Sequence, residues 1–195
     1  MKRVMFLGAL VASLVSCMSR PEPFAPTEHA TAVTRKGQRV AEYEVIAGGR
    51  VAGETKVWST GAFEEKEPDD RERTLLHVAF MLESTDQEPI QLEVDNVALD
   101  SVDAGGKAFS IAHPKYVEEK KDAADKETEV HMYFEMPKGL EPQNLDAFRV
   151  RWSVKTPEGR YEQRTPFLES ELPPNYYYYY PYYDPWYWHV DPWGY

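Results

Sequence analysis

Through the middle of the chain, apolar and polar positions alternate with a period of two, the repeat of a strand with one face in a core and the other in water. In "FRVRWSVK", Phe148, Val150, Trp152 and Val154 share one face, and Arg149, Arg151, Ser153 and Lys155 share the other. "EVHMYFEM" likewise gathers Val130, Met132, Phe134 and Met136 on one face. "TLLHVAFMLES" is apolar on both, with Leu76, Val78, Phe80 and Leu82 opposing Leu75, His77, Ala79 and Met81, which predicts a central strand covered on each side. Weaker alternation in "RVAEYEVIA", "RVAGETKVW", "IQLEVDNVAL", "KAFSIA" and "RYEQRTPF" predicts further strands. In "IQLEVDNVAL" the apolar phase slips between Val94 and Val97, where a bulge or bend is expected.

Turn-forming residues separate these runs. Gly48-Gly49 stands between two alternating segments and predicts a tight hairpin, while "STDQEP", "DAGG", "PKGLEPQN" and "PEG" punctuate the rest. About eight short strands without a long amphipathic helix predict an all-β chain, a single antiparallel β-sandwich over residues 39–168. The only stretch with helical content, "YVEEKKDAADKETE", is so charged that a solvated loop or exposed turn is expected there.

The first residues follow a different grammar. Lys2 and Arg3 precede an apolar run from Val4 to Val15, then Ser16 and Cys17, in the order of a secretory signal peptide. The run is shorter than the roughly 20 residues a spanning helix needs. Leu14-Val15-Ser16-Cys17 resembles the lipobox of bacterial lipoproteins, in which the thiol is lipidated and the preceding peptide removed. Cys17 is the only cysteine, so no intrachain disulfide competes for it. The resemblance implies residues 1–16 as signal peptide, Cys17 as the lipidation site carrying palmitate-type chains, and a membrane partner reached through the N-terminal lipid. Met18 differs from the aspartate associated with inner-membrane retention in such proteins, which implies the outer membrane; a periplasm-facing domain is the expectation, with an outward-facing one left open.

Charge narrows the partners. Losing Lys2 and Arg3 with the signal takes the formal charge from −11 to −13. A domain this acidic is repelled by phosphates, so no nucleic-acid partner is expected. Residues 17–38, with prolines and small polar residues and no sustained period, are expected to be a flexible tether of roughly 25 Å root-mean-square span.

Over residues 74–155, the succession of a strand, "ESTDQEPIQL", "GKAF", a charged loop and "VHMYFEMP" resembles the extracellular immunoglobulin-like domains of bacterial lipoproteins that lack an assigned activity. Glu83-Ser84 stands where those domains commonly have an asparagine. The resemblance implies an immunoglobulin-like sandwich and carries no catalytic residue with it.

The residues offer no constellation for catalysis. His29, His77, His113, His131 and His189 are scattered, with no i, i+4 pair and no zinc signature, and each reads as a core or surface histidine. There is no G-x-S-x-G, and the carboxylate-rich "DDRERT" and "VEEKKDAADKET" lack the alternating oxygens and glycine of a calcium loop. No cofactor, no metal and no enzymatic activity are expected.

What remains is the end of the chain, residues 169–195. From Pro173 to Tyr195 it holds nine tyrosines, three tryptophans and five prolines, and it repeats Asp-Pro-Trp at 184–186 and 191–193. The prolines forbid a long helix or a central strand, so an extended ribbon or a disordered low-complexity tail is expected. Tyrosine and tryptophan favour surfaces with one dry and one wet side. Tyr182, Tyr183, Trp186, Tyr187, Trp188 and Trp193 are therefore the expected binding residues, for the protein's own domain, a partner protein, a membrane interface or glycan such as peptidoglycan. Similar tyrosine-rich ends occur in outer-membrane lipoproteins of the starvation-induced type. The sequence reading is a non-catalytic, lipid-anchored binding or structural module of the envelope; the alternative is an accessory subunit of an export or assembly complex whose tail docks on a partner protein.

Overall fold

The computed structural model describes residues 24–30, 32–33, 39–66, 72–85, 90–121 and 127–170. Two antiparallel sheets pack face to face, as the alternation predicts. One contains β1 (Phe24–Pro26), β6 (Gln91–Leu92), β7 (Ala98–Ala104), β8 (Lys107–Ile111), β11 (Leu145–Thr156) and β12 (Gly159–Glu169), in the order β1-β12-β11-β7-β8 with β6 also against β11. The second contains β2 (Ala32–Val33), β3 (Arg39–Ala47), β4 (Arg50–Lys66), β5 (Glu72–Ser84), β9 (Tyr116–Lys121) and β10 (Glu127–Glu135), in the order β2-β3-β4-β5-β10-β9. The fold class is the expected all-β sandwich.

The turns are where their residues require them. Gly48 and Gly49 join β3 to β4 with φ of 55° and 80°, the paired positive φ that suits the twist of a two-residue hairpin. The apolar slip near Val94 is a single 3₁₀ turn, Val94–Asn96, between β6 and β7. Both flanking strands pair with β11, so this is one strand interrupted in its middle.

Glu93 occupies the interruption. It accepts hydrogen bonds from Ser153 Oγ at 2.7 Å and Arg160 Nη2 at 2.8 Å, which explains why Ser153 is buried although it points away from the core. Those partners hold the Glu93 carboxyl below its ordinary value. A depressed folded-state value contributes stability above the unfolded-state value and loses it as pH falls through the folded one. Glu93→Gln is therefore expected to cost about 1 kcal/mol at neutral pH. The difference from wild type should vanish in acid; urea midpoints at pH 7 and pH 3 check it.

The core lies between the sheets. Phe148, Val150, Trp152 and Val154 of β11 meet Val78, Phe80 and Leu82 of β5 and Val130, Met132 and Phe134 of β10, every one buried. Trp152 sits at the crossing, its ring centroid 5.1 Å from Tyr43 and 5.8 Å from Phe80. Its Nε1–H donates to Thr165 Oγ1 at 2.9 Å, and the Tyr43 hydroxyl bonds the same oxygen at 2.9 Å, tying β3 of one sheet to β11 and β12 of the other.

Three expectations change. There are twelve strands among the described residues where about eight were expected, because "IQLEVDNVAL" divides into β6 and β7 and the short strands β1, β2 and β9 were not anticipated. Tyr116–Lys121, expected as a loop or turn, is the edge strand β9; edge pairing with β10 needs only backbone groups, so its side chains stay in water while the strand forms. The tether expected over 17–38 contains strands: β1 pairs with β12, Phe24 and Ala25 are buried, and Phe24 packs edge-on against Phe148 at 5.1 Å. Pro26 fits there because an edge strand can spare an N–H.

Candidate functional site

Strands β4, β5 and β10 also carry large side chains on the face turned away from the core. These are Trp58 and Phe63 from β4, Leu75, His77, Ala79 and Met81 from β5, and His131 and Tyr133 from β10. The two-sided apolar pattern of β5 pointed to such a second buried face. It did not show that two histidines would meet there.

A bulge brings them into a bonded chain. The β4–β5 register shifts between Trp58 and Gly61, and Gly61 takes φ of 106°, open to glycine and strained for other residues. Ser59 Oγ donates to the His77 carbonyl at 2.6 Å and accepts from Gly61 N–H at 3.0 Å, filling the gap in the ladder. The extra residue, Thr60, is thereby aimed at the His77 ring, with its N–H 3.2 Å and its hydroxyl 2.8 Å from Nδ1.

On the other side of the ring, His77 Nε2 lies 2.8 Å from His131 Nδ1, and the two imidazoles stack with centroids 5.1 Å apart. His131 Nε2 is 3.1 Å from Glu129 Oε1. The hydrogen-bond pattern assigns the tautomers. Because Thr60 N–H can only donate, His77 Nδ1 accepts, so His77 carries its proton on Nε2 and gives it to His131 Nδ1. His131 then carries its proton on Nε2, facing the Glu129 carboxylate.

Aromatic rings continue the row. Trp58 meets His131 edge-on at 6.2 Å, His77 lies 5.1 Å from Tyr133, and Tyr133 meets Phe63 edge-on at 6.2 Å. Ion pairs rim it. Lys56 bonds Glu83 at 2.9 Å and Glu54 at 3.0 Å, while Arg73 pairs with Glu65 and lies 5.1 Å over the Tyr116 ring. Burial opposes the charge on Lys56, but the two carboxylates outweigh it and hold its ammonium above the ordinary range. Trp58, Leu75, His77, Ala79, His131 and Tyr133 are all buried, so this row is a second apolar cluster on the sheet, with charged pairs at its margin. Thr60 Oγ1 beside an imidazole has the outline of an activated hydroxyl, but Nδ1 is shared with Thr60's own N–H in a ring without solvent exposure, a geometry that orients rather than activates.

His131→Ala should leave the buried Nε2–H of His77 without its acceptor, at a cost of about 2 kcal/mol in urea unfolding. Adding His77→Ala should cost less than the two single changes summed, since the second change removes the orphaned group.

The remaining residues singled out from sequence disperse. His29, at φ 56°, tilts against Tyr43 with centroids 4.6 Å apart. His113 lines a shallow open cleft of about 490 Å³ with Phe109, Ile111, Lys115 and Met136. Cys17, His189, Tyr182, Tyr183, Trp186, Tyr187, Trp188 and Trp193 lie outside the described residues. Among the described residues no group of three or more His, Cys, Asp or Glu is placed to hold a metal ion.

Pairing His77 with His131 required knowing that β5 and β10 are neighbours with Tyr133 opposite His77. The only local signal was Ser59-Thr60-Gly61 inside a strand, a bulge signature. Comparison with protein-family models and with curated proteins returns no match for this chain.

Proposed function

We propose that this chain is a non-catalytic cell-envelope lipoprotein, anchored through lipid on Cys17 to the periplasmic side of the outer membrane, whose aromatic tail contacts an envelope component. The lipobox-like Leu14-Val15-Ser16-Cys17, behind its apolar run and holding the only thiol, carries the anchor.

One feature of the fold supports placing the tail's contact near that anchor. β1 and β12 pair so that Phe24 stands opposite Glu169, which sets the entry and exit of the domain side by side. Only residues 18–23 separate Cys17 from β1, a reach of about 20 Å when fully extended. The tail therefore begins at the end of the domain closest to the lipid, where tyrosine and tryptophan rings can meet headgroups or the glycan above them.

Cosedimentation of the non-lipidated protein with purified peptidoglycan, and separately with lipid vesicles, tests the role of the tail. Full-length protein is expected to pellet with one of them, and truncation after Leu172 to weaken that by about tenfold or more, as several stacked rings are lost. Equal pelleting of both forms, or none by either, overturns the tail as the adhesive element. A stoichiometric protein partner recovered by crosslinking at the tail would then favour the accessory-subunit alternative.

A further inference from the structure

Each sheet ends, on either side, in a strand whose outer edge has no neighbour among the described residues, and three of these four ends are guarded. β1 is three residues long and includes Pro26, β2 is two residues long, and β9 carries Glu118, Glu119, Lys120 and Lys121 in a row. The fourth, β8, reads "KAFSI", with no proline and no charge after Lys107. Lys107, Ala108 and Ser110 are exposed, so this edge is open to water.

The hairpin before β8 decides which backbone groups face outward. Gly105 and Gly106, at φ 53° and 75°, join Ala104 to Lys107 in a two-residue turn whose closing residues bond each other. Bonding direction alternates along an antiparallel strand. Lys107, Phe109 and Ile111 therefore bond toward β7, and the N–H and C=O groups of Ala108 and Ser110 point away from the sheet.

Beside that edge the two layers do not match. Val117 of β9 pairs with Met132, a core residue at 0% exposure, yet Val117 itself is 42% exposed. The sheet that ends at β8 stops above β10, where Phe109 and Ile111 line the open cleft with Met136 and Pro137. The space above β9 is that of one more strand.

We infer that a second copy of this chain fills it, β8 pairing antiparallel with the partner's β8 across a two-fold axis at Phe109. The strand is its own complement. Ala108 and Ser110 exchange N–H···O=C bonds with the partner's Ser110 and the partner's Ala108, which satisfies all four outward groups of each strand. Phe109 faces the partner's Phe109, Lys107 faces the partner's Ile111, and no like charges are opposed. Lys107, the one charge on the strand, comes to the side of the other copy's β9 that presents Val117 and Glu119, placing a cation by an anion twice. The pairing needs neither the lipid anchor nor the tail. Its area is small, so a weak dimer is expected, dissociating on the order of 100 μM.

Sedimentation equilibrium of the non-lipidated full chain carrying Cys17→Ser tests the pairing. The average mass is expected to rise toward that of a dimer between about 10 μM and 1 mM. Ala108→Lys with Ser110→Lys, both at exposed positions, sets lysine against lysine twice and should weaken association about tenfold. Ala108→Glu with Ser110→Lys sets glutamate against lysine in the same register and should restore it. A chain that is monomeric at about 1 mM overturns the self-pairing, and association that none of these substitutions changes belongs to another part of the chain and overturns it as well.

A cysteine reads the register. Phe109→Cys in the Cys17→Ser chain should be oxidised by glutathione disulfide to a covalent dimer, since directly opposed residues of a non-hydrogen-bonded pair stand within disulfide range. Lys107→Cys, facing the partner's Ile111, should crosslink about tenfold more slowly. Equal crosslinking at the two positions would overturn the two-fold at Phe109.

Discussion

Replacing Trp152 by alanine is expected to cost about 4 kcal/mol, enough to consume much of the 5–15 kcal/mol that stabilises a typical domain. The ring is 1% exposed and lies where three strands from two sheets converge. Removing it leaves a cavity beside Tyr43, Phe80 and Tyr161, whose rings lie 5.1, 5.8 and 6.1 Å away. It also takes one donor from Thr165 Oγ1, leaving the Tyr43 hydroxyl as its remaining bonded partner.

Burial pushes the Tyr43 hydroxyl above its ordinary pKa, so it stays protonated at neutral pH and the Tyr43–Thr165 hydrogen bond remains at the crossing after the indole is removed. Trp152→Phe keeps most of the volume and loses the N–H, and should cost about half as much. Urea unfolding followed by far-ultraviolet circular dichroism reads both. A Trp152→Ala protein within 1 kcal/mol of wild type, a margin well below the usual range for such cavities, would show that the sandwich does not depend on this crossing.

The second large effect concerns location. Cys17→Ser should block lipid attachment and move the protein from the membrane pellet to the soluble fraction. One acyl chain gives only marginal, reversible partitioning, about 10⁴ M⁻¹, whereas several chains give stable anchoring. The expected loss is therefore near-complete rather than graded, and incorporation of an alkyne-tagged palmitate should disappear with it. A Cys17→Ser protein that still pellets through an alkaline carbonate wash would remove the anchor from this account. Among the described residues no helix is long and apolar enough to cross a membrane.

These two effects come from opposite ends of what a linear sequence conveys. Trp152 was legible because a period of two marks its face in "FRVRWSVK", and every apolar position of that face is buried. Its bond to Thr165 and its packing on Tyr43 were not legible, since they join strands that only the sheet order brings together. Tyr116–Lys121 shows the reverse limit: a strand at a sheet edge gains its order from backbone pairing, so charged side chains did not betray it.

By itself the sequence determined what local periodicity and composition can carry: strands with defined core faces, the Gly48-Gly49 hairpin, the interruption near Val94, a signal-like start and an aromatic end. Burial of one apolar face per strand sets these, and it depends only on neighbours two residues away. Tertiary structure alone decided that His77 and His131 form a bonded pair 54 residues apart, that Phe24 closes the core beside the last strand, and that Ser59-Thr60-Gly61 bulges to aim Thr60 at an imidazole. Those features arise from the register between distant strands, which no period along one strand encodes.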